Sequence, residues 1–132
     1  MNDAETTIDV LKTLVRSFSV ERDWVQFHHP KDLGVALASE VGELLDLFRF
    51  KTDAEIQILL ETAKDHRAVA HELADCFWTV LRLADVCRVD LAGSLEEKVG
   101  LAGLKYPVDR AFGRSEKYTA YQTGETSEDD LP

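Results

Sequence analysis

The chain has 132 residues, of which 45% are hydrophobic and 30% charged, with three prolines. This is typical of one helical globular domain that buries a core without disulfide staples. The net charge of −10 argues against general affinity for nucleic-acid backbones or anionic membranes, although a bound cation can invert the local field for a small phosphate ligand. Because no membrane-length apolar run or signal-peptide pattern is present, we expect a cytoplasmic protein.

Apolar periodicity predicts helices along most of the chain and no strands. The first helix is expected from about Ala4 to Ser19, and the stretch from Glu21 to Pro30 breaks its period, which indicates an ordered connector. The second helix is expected from Leu33 to about Phe50, with Asp32 as its N-cap.

The second half of the chain predicts three more helices. Thr52-x-x-Glu55 is a capping-box pattern and predicts a short helix over about Asp53 to Glu61. A fourth helix is expected from about Lys64 to Arg88. A fifth is expected from about Leu91 to Leu104, because Pro107 disfavours helix in the residue before it.

These elements predict one all-α domain, a bundle of four to five helices over residues 1–122. Residues 123–132 are polar and acidic, and we expect them to form a disordered tail. The apolar patterns are wider than a single packing seam, so further burial between subunits is expected to complete the core.

Two carboxylate pairs, Glu40-x-x-Glu43 and Glu72-x-x-Asp75, lie in the second and fourth predicted helices. Carboxylates three residues apart share one face of a helix. At about 100° per residue, Glu40 and Glu72 fall inside the apolar arc of their helices, whereas Glu43 and Asp75 fall at its margin. Two antiparallel helices would direct these four groups at one small volume, where they repel strongly unless a cation lies among them.

Acidic pairs at this spacing are usually solvated surface, but here the same embedded placement occurs on two helices long enough to pack together. Burying a carboxylate without compensation is unfavourable. Ligation by oxygen alone favours Mg²⁺, Mn²⁺ or Ca²⁺ over zinc or copper. A di-iron bundle would require Glu-x-x-His pairs, which neither acid pair supplies. The pattern therefore predicts a hard-metal site.

Further motifs accompany the acid pairs. They are Glu21-Arg-Asp-Trp-x-Gln-Phe-His28, Glu40-Val-Gly-Glu-Leu44, Phe50-Lys-Thr-Asp53, Glu72-Leu-x-Asp75, Cys87-Arg-Val-Asp-Leu91, Lys98, Lys105-Tyr-Pro107 and Ser115-x-Lys-Tyr118. In these motifs, from about Ile8 to Tyr121, the sequence resembles the all-α NTP pyrophosphatases of the MazG-like superfamily, in particular their dCTP pyrophosphatase group.

The resemblance implies hydrolysis of a nucleoside triphosphate, dCTP or a related pyrimidine nucleotide, to the monophosphate and pyrophosphate. Glu40, Glu43, Glu72 and Asp75 would be the catalytic acids and the ligands of Mg²⁺, with Mn²⁺ as a substitute. The cation would neutralise charge developing on phosphorus and assist the attacking water, and one acid could instead orient that water. The resemblance also implies nucleotide-pool sanitation and a homodimer or homotetramer.

Cationic side chains are needed beside a polyphosphate. Lys98 and Lys105 lie seven residues apart, hence on one helix face, and match the family's phosphate-contacting segment. Tyr106 is the accompanying hydroxyl donor. Lys51 and Arg114 are weaker candidates for the same role.

For the base, the resemblance points to the connector. Trp24 would stack on a pyrimidine ring, and His28 would hydrogen-bond a ring edge. Three positions depart from the dCTP enzymes: Phe50 replaces a Trp, Thr79 replaces a Tyr, and Ala102 replaces an Asn. We expect these changes to bear on base selectivity or turnover, and they leave the predicted metal ligands intact.

Two other classes of function stay open on the sequence. One is a nucleotide-binding or regulatory module that retains the metal site but has weakened catalysis, which Thr79 and Ala102 motivate. The other is a structural helical assembly clamped by Ca²⁺ or Mg²⁺.

Overall fold

The computed structural model describes residues 1–122, and the predicted tail over residues 123–132 lies outside the described residues. The described part is helical and contains no strand, which confirms the all-α prediction. Its helices are α1 (Ile8–Glu21), α2 (Pro30–Phe48), α3 (Asp53–Glu61), α4 (Ala63–Val86), α5 (Leu91–Lys105) and the single turns α6 (Val108–Ala111) and α7 (Thr119–Gln122). A 3-10 turn, Trp24–Phe27, lies within the predicted connector. In this part of the chain, no helix has the length and apolar character needed to cross a bilayer.

The chain divides into two compact units. The first runs from Met1 to Asp90 and contains α1 to α4, and the second begins at Leu91 and contains α5 to α7. In the first unit α4 is central, because it packs most extensively against α2 and also contacts α1 and α3. The buried apolar side chains of this unit are few: Val15, Leu33, Val69, Leu81 and Ala84.

The α3 helix has the predicted boundaries, and its capping box is present. The Thr52 hydroxyl accepts a hydrogen bond from the Glu55 backbone N–H at 3.3 Å, and the Glu55 carboxylate accepts one from the Thr52 N–H at 2.7 Å. The α1 helix starts later than predicted, at Ile8, because Thr7 caps it by accepting a hydrogen bond from the N–H of Val10.

The prediction that Asp32 caps α2 was wrong. The helix begins at Pro30, and His29 occupies the N-cap position without a side-chain capping bond. Proline suits the first helical position because its φ is already helical and it has no N–H to satisfy. Asp32 therefore lies within the first turn, where its charge favours the positive end of the helix dipole.

A charged network joins α1 to α4. Asp85 on α4 is half-buried and accepts hydrogen bonds from Arg16 of α1 (Nε to Oδ2, 2.9 Å) and from the buried Arg82 of α4. Nearby, Lys12 Nζ donates to the carbonyl oxygen of Val89 at 2.6 Å. The hydrogen bond from Arg16 is the main cause of a lowered pKa of Asp85, with further lowering from the charges of Arg16, Arg82 and Lys12.

We expect Asp85→Asn to reduce the free energy of unfolding at neutral pH by about 2 kcal/mol, because hydrogen bonds to charged groups contribute about that much and Arg82 would lose its buried partner. Since the pKa of Asp85 is lowered on folding, its contribution is present above the ordinary aspartate pKa and disappears as the pH falls through the folded value. Urea unfolding across the acid range would measure both effects.

Asp46→Asn is the matched control, because Asp46 lies on α2 and forms an exposed ion pair with Arg49. Exposed pairs of this kind contribute little. Equal losses of stability in the Asp85 and Asp46 variants would contradict a special role for the Asp85 network.

Candidate metal centre and active site

The contact between α2 and α4 brings three of the predicted acids together. Glu40, Glu43 and Glu72 each present a carboxylate oxygen, and these oxygens lie within 4.8 Å of one another. Glu40 and Glu72 are half-buried and Glu43 is exposed. Asp75 is half-buried one turn after Glu72, and although it lies outside this tight group, its charge acts on Glu40.

The group formed by Glu40, Glu43 and Glu72 is electrostatically unfavourable when the side chains are ionised and no cation is bound. Burial raises the pKa of Glu40, and the charges of Glu43, Asp75 and Glu72 raise it further. The Oε2 atom of Glu72 is buried, and no hydrogen-bond partner for it exists among the described residues. A buried carboxylate oxygen without a donor is costly. A divalent cation would compensate both effects, so this donor set fits a hard metal.

An apolar groove of about 470 Å³ lies between α1 and α4. Its lining includes Phe18 from α1 and Asp75 and Trp78 from α4. The Phe18 ring meets Trp78 and Trp24 edge-to-face, at centroid distances of 5.6 and 5.8 Å. Trp24 is 40% exposed, so it is neither a buried core residue nor a free surface ring. The connector is therefore anchored to the same aromatic cluster that lines the groove beside Asp75.

His28 is fixed by a side chain from α4. The Nε of Arg82 donates a hydrogen bond to Nδ1 of His28 at 2.9 Å. This bond joins the connector to α4. Both groups are shielded, since Arg82 is 5% exposed and His28 is half-buried. Burial lowers the pKa of His28, and the charge of Arg82 lowers it further. Burial and the Arg82 charge therefore both favour the neutral imidazole.

The two substituted positions of the first unit differ in exposure. Phe50 follows α2 with φ of 60° and is 93% exposed, with the guanidinium of Arg49 4.8 Å from its ring centroid. Lys51 beside it is exposed. Thr79 is buried, and its hydroxyl donates to the Asp75 carbonyl oxygen at 2.9 Å. Thr79 thus bonds its own helix at the turn that carries Asp75.

The predicted phosphate-contacting residues belong to the second unit. Lys98 and Lys105 are exposed on α5. Lys105 Nζ lies 5.3 Å from the centroid of the Tyr118 ring, and Tyr106 meets the same ring edge-to-face at 5.9 Å. Arg114 is paired with Glu116 at 3.2 Å. The structure thus groups Lys105 and Tyr106 around Tyr118.

Two residues near the candidate site were missed on the sequence, Trp78 and Arg82. Arg82 follows Asp75 by seven residues, which places it within about 20° of that acid on the helical wheel. This helical phase could be derived from the sequence. The pairing of Arg82 with His28 could not, because a hydrogen bond across 54 residues depends on tertiary packing.

Comparisons with known proteins identify relatives over nearly the whole chain. It is 39% identical to human dCTP pyrophosphatase 1 over 125 residues, which covers 95% of this chain and 74% of the human protein. The rat protein of the same name is 38% identical over 126 residues, with coverage of 96% and 74%. A pyrophosphatase from Archaeoglobus fulgidus, solved by crystallography, superposes with a TM-score of 0.71 at 30% identity, covering 81% of this chain and 98% of that one. No protein-family model matches the chain.

The helical fold and the clustered acids, together with these relatives, define an all-α nucleotide pyrophosphatase, a hydrolase. Within this class, the chain belongs to the dCTP pyrophosphatase family. The resemblance read from its motifs is therefore confirmed at the level of the family.

We expect Glu40→Gln to stabilise the metal-free protein by about 1 kcal/mol, the size of the repulsion between like unit charges about 4 Å apart in water. The raised pKa of Glu40 means that its ionised form weakens folding at neutral pH. The same variant should lose most of the thermal stabilisation that Mg²⁺ or Mn²⁺ gives to the unsubstituted protein. Thermal unfolding with EDTA and with each cation measures both.

Glu61→Gln is the matched control, because Glu61 is an exposed acid at the end of α3. It should leave both measurements unchanged. Destabilisation of the metal-free Glu40→Gln variant, or an undiminished response to the cations, would count against a metal centre at this position.

Proposed function

We propose that this chain hydrolyses a nucleoside triphosphate, dCTP or a related pyrimidine deoxynucleotide, to the monophosphate and pyrophosphate in a reaction that depends on Mg²⁺. The observation that carries the proposal is the group of Glu40, Glu43 and Glu72, with a buried Glu72 oxygen that lacks a donor. Relatives named dCTP pyrophosphatase 1 support the choice of base. The cellular role would be removal of unwanted nucleotides from the pool.

In this proposal Glu40, Glu43, Glu72 and Asp75 hold Mg²⁺, with Mn²⁺ as a substitute. Bound Mg²⁺ supplies charge neutralisation at the phosphoryl oxygens and favours attack by water. The carboxylates fix where that charge is available, since they are anchored on two packed helices. A carboxylate oxygen not engaged with the cation can accept the proton of the attacking water.

The remaining substrate contacts come from the predicted binding residues. Lys98 and Lys105 would bind phosphate oxygens, with the Tyr106 hydroxyl as a further donor. Trp24 and His28 would contact the base. Trp24 packs against Phe18, and His28 accepts a hydrogen bond from Arg82.

Three substrate-binding positions have less defined roles. Phe50 offers an exposed aromatic face, and Lys51 beside it offers a cation. Thr79 directs its hydroxyl to the α4 backbone. Because threonine is smaller than the tyrosine that it replaces, Thr79 would leave more space for the base.

We propose that residues 1–122 form the catalytic domain and that it works as a homodimer or homotetramer. Many large apolar side chains are exposed on the single chain, a pattern that marks interaction surfaces. Examples on three helices of the first unit are Leu14 at 52%, Leu45 at 60% and Ile58 at 64% exposed.

The activity is tested by incubating the full chain with each canonical dNTP and Mg²⁺ and separating the products. We expect dCTP to give dCMP and pyrophosphate, and EDTA to abolish the reaction. Glu43→Gln should lower kcat by at least about 100-fold, because it removes a charged oxygen needed to hold the cation.

Glu61→Gln again serves as the control and should retain full turnover. Absence of monophosphate from every nucleotide at high enzyme concentration would sink the proposal. Tight calorimetric binding of dCTP without hydrolysis would instead favour a nucleotide-binding module.

We expect sedimentation equilibrium to give a mass two or four times that of the single chain at micromolar concentration. The reason is the exposed apolar surface, which costs free energy in water unless another subunit covers it. A monomer at all accessible concentrations would contradict the proposed assembly without affecting the proposed chemistry.

A further inference from the structure

The Arg82–His28 hydrogen bond has a chemical consequence for the imidazole. A guanidinium group only donates hydrogen bonds, because it has no acceptor and stays protonated in proteins. Its Nε–H points at Nδ1 of His28 at 2.9 Å. Nδ1 must therefore carry a lone pair, and in the neutral ring the proton lies on Nε2.

The Arg82 side chain is itself held in one orientation. It is buried, and its terminal NH1 donates to Oδ2 of Asp85. Asp85 is in turn fixed from α1 by Arg16. Arg82 can therefore not rotate away from His28 without giving up a charged hydrogen bond in a shielded place, which is costly.

The position of this network along α4 relates it to the acid group. Asp75, Thr79 and Arg82 follow one face of the helix at spacings of four and three residues. Arg82 is thus about 10 Å from Asp75 along the helix axis. This separation is comparable with the reach of a nucleotide from its phosphates to its base. In the proposed function, the partner of Arg82, His28, would contact the base when the phosphates are at the acids.

We propose that Arg82 is a positioning residue that fixes His28 as the Nε2–H tautomer, so that the connector presents a hydrogen-bond donor to the nucleobase. This rests on the proposed function for the identity of the ligand. A donor at this point pairs with N3 of cytosine, which is an unprotonated ring acceptor. It is opposed by the N3–H of thymine or uracil. Arg82 therefore contributes to base selectivity without touching the substrate.

The first test is spectroscopic and needs no activity. Long-range ¹H–¹⁵N correlation spectra of the full chain at neutral pH report which ring nitrogen carries the proton. His28 is assigned through the His28→Gln variant, and the exposed His66 of α4 is the internal reference. We expect His28 to be protonated at Nε2 alone. A proton on Nδ1 of His28 in the unsubstituted protein would overturn the proposal.

Variants then test the role of Arg82. Arg82→Met removes the donor and should convert His28 to a mixture of tautomers. The ratio of kcat/KM for dCTP over dTTP should fall about tenfold, the size of one hydrogen bond, mainly through KM. Arg82→Lys retains a donor and should restore part of both signals. Arg67→Met, which alters an exposed arginine of the same helix, should change neither.

A double-mutant cycle separates positioning from a general structural effect. In a His28→Ala background, Arg82→Met should no longer change the dCTP to dTTP ratio, because Arg82 acts through the imidazole. An undiminished effect in that background would overturn the proposal. If the unsubstituted protein hydrolyses no nucleotide, the proposed function fails, and the tautomer of His28 is still decided by the spectra.

Discussion

The repulsion among the carboxylates at the α2–α4 contact is the constraint on which the candidate site depends. This contact is the most extensive between helices of the first unit, and it buries part of Glu40 and Glu72 together with the apolar core. The acids therefore cannot separate without loss of the packing that holds the unit together. The fold thus holds like charges together at one point, and a divalent cation bound there would relieve their repulsion.

The same helix carries an acid in the opposite situation. Asp85, at the C-terminal end of α4, accepts hydrogen bonds from Arg16 and Arg82, and its pKa is lowered. Glu72, about three and a half turns earlier, has a buried oxygen without a donor among the described residues. Both side chains are half-buried, and they differ in whether cationic side chains of the chain itself reach the carboxylate. Asp85 is paired with arginines of the chain itself, whereas Glu72 could bind an external cation.

Local signals accounted for much of the fold and for the acids. The Thr52–Glu55 capping box gave the boundaries of α3, and helical phase placed Glu40 and Glu72 on the faces that meet. The start of α2 was misjudged because Asp32 was favoured over the stronger effect of Pro30 at the first helical position. The Arg82–His28 hydrogen bond could not be predicted from the local sequence, because neither helical phase nor residue spacing indicates which connector packs against which turn of a helix.

The connectors on either side of α2 share a backbone feature, a residue other than glycine with positive φ. Asp23, before Trp24, has φ of 54°, and Phe50, after the helix, has φ of 60°. A left-handed conformation costs a residue other than glycine about 1–2 kcal/mol. Such strain persists where surrounding contacts enforce it, and it is concentrated at functional sites. At Asp23 the enforcing contacts are the Gln26 side-chain hydrogen bond and the packing of Trp24 on Phe18. In the proposed function, α2 would supply acids for the metal, while the strained connectors at its ends would supply the aromatic and imidazole groups that contact the base.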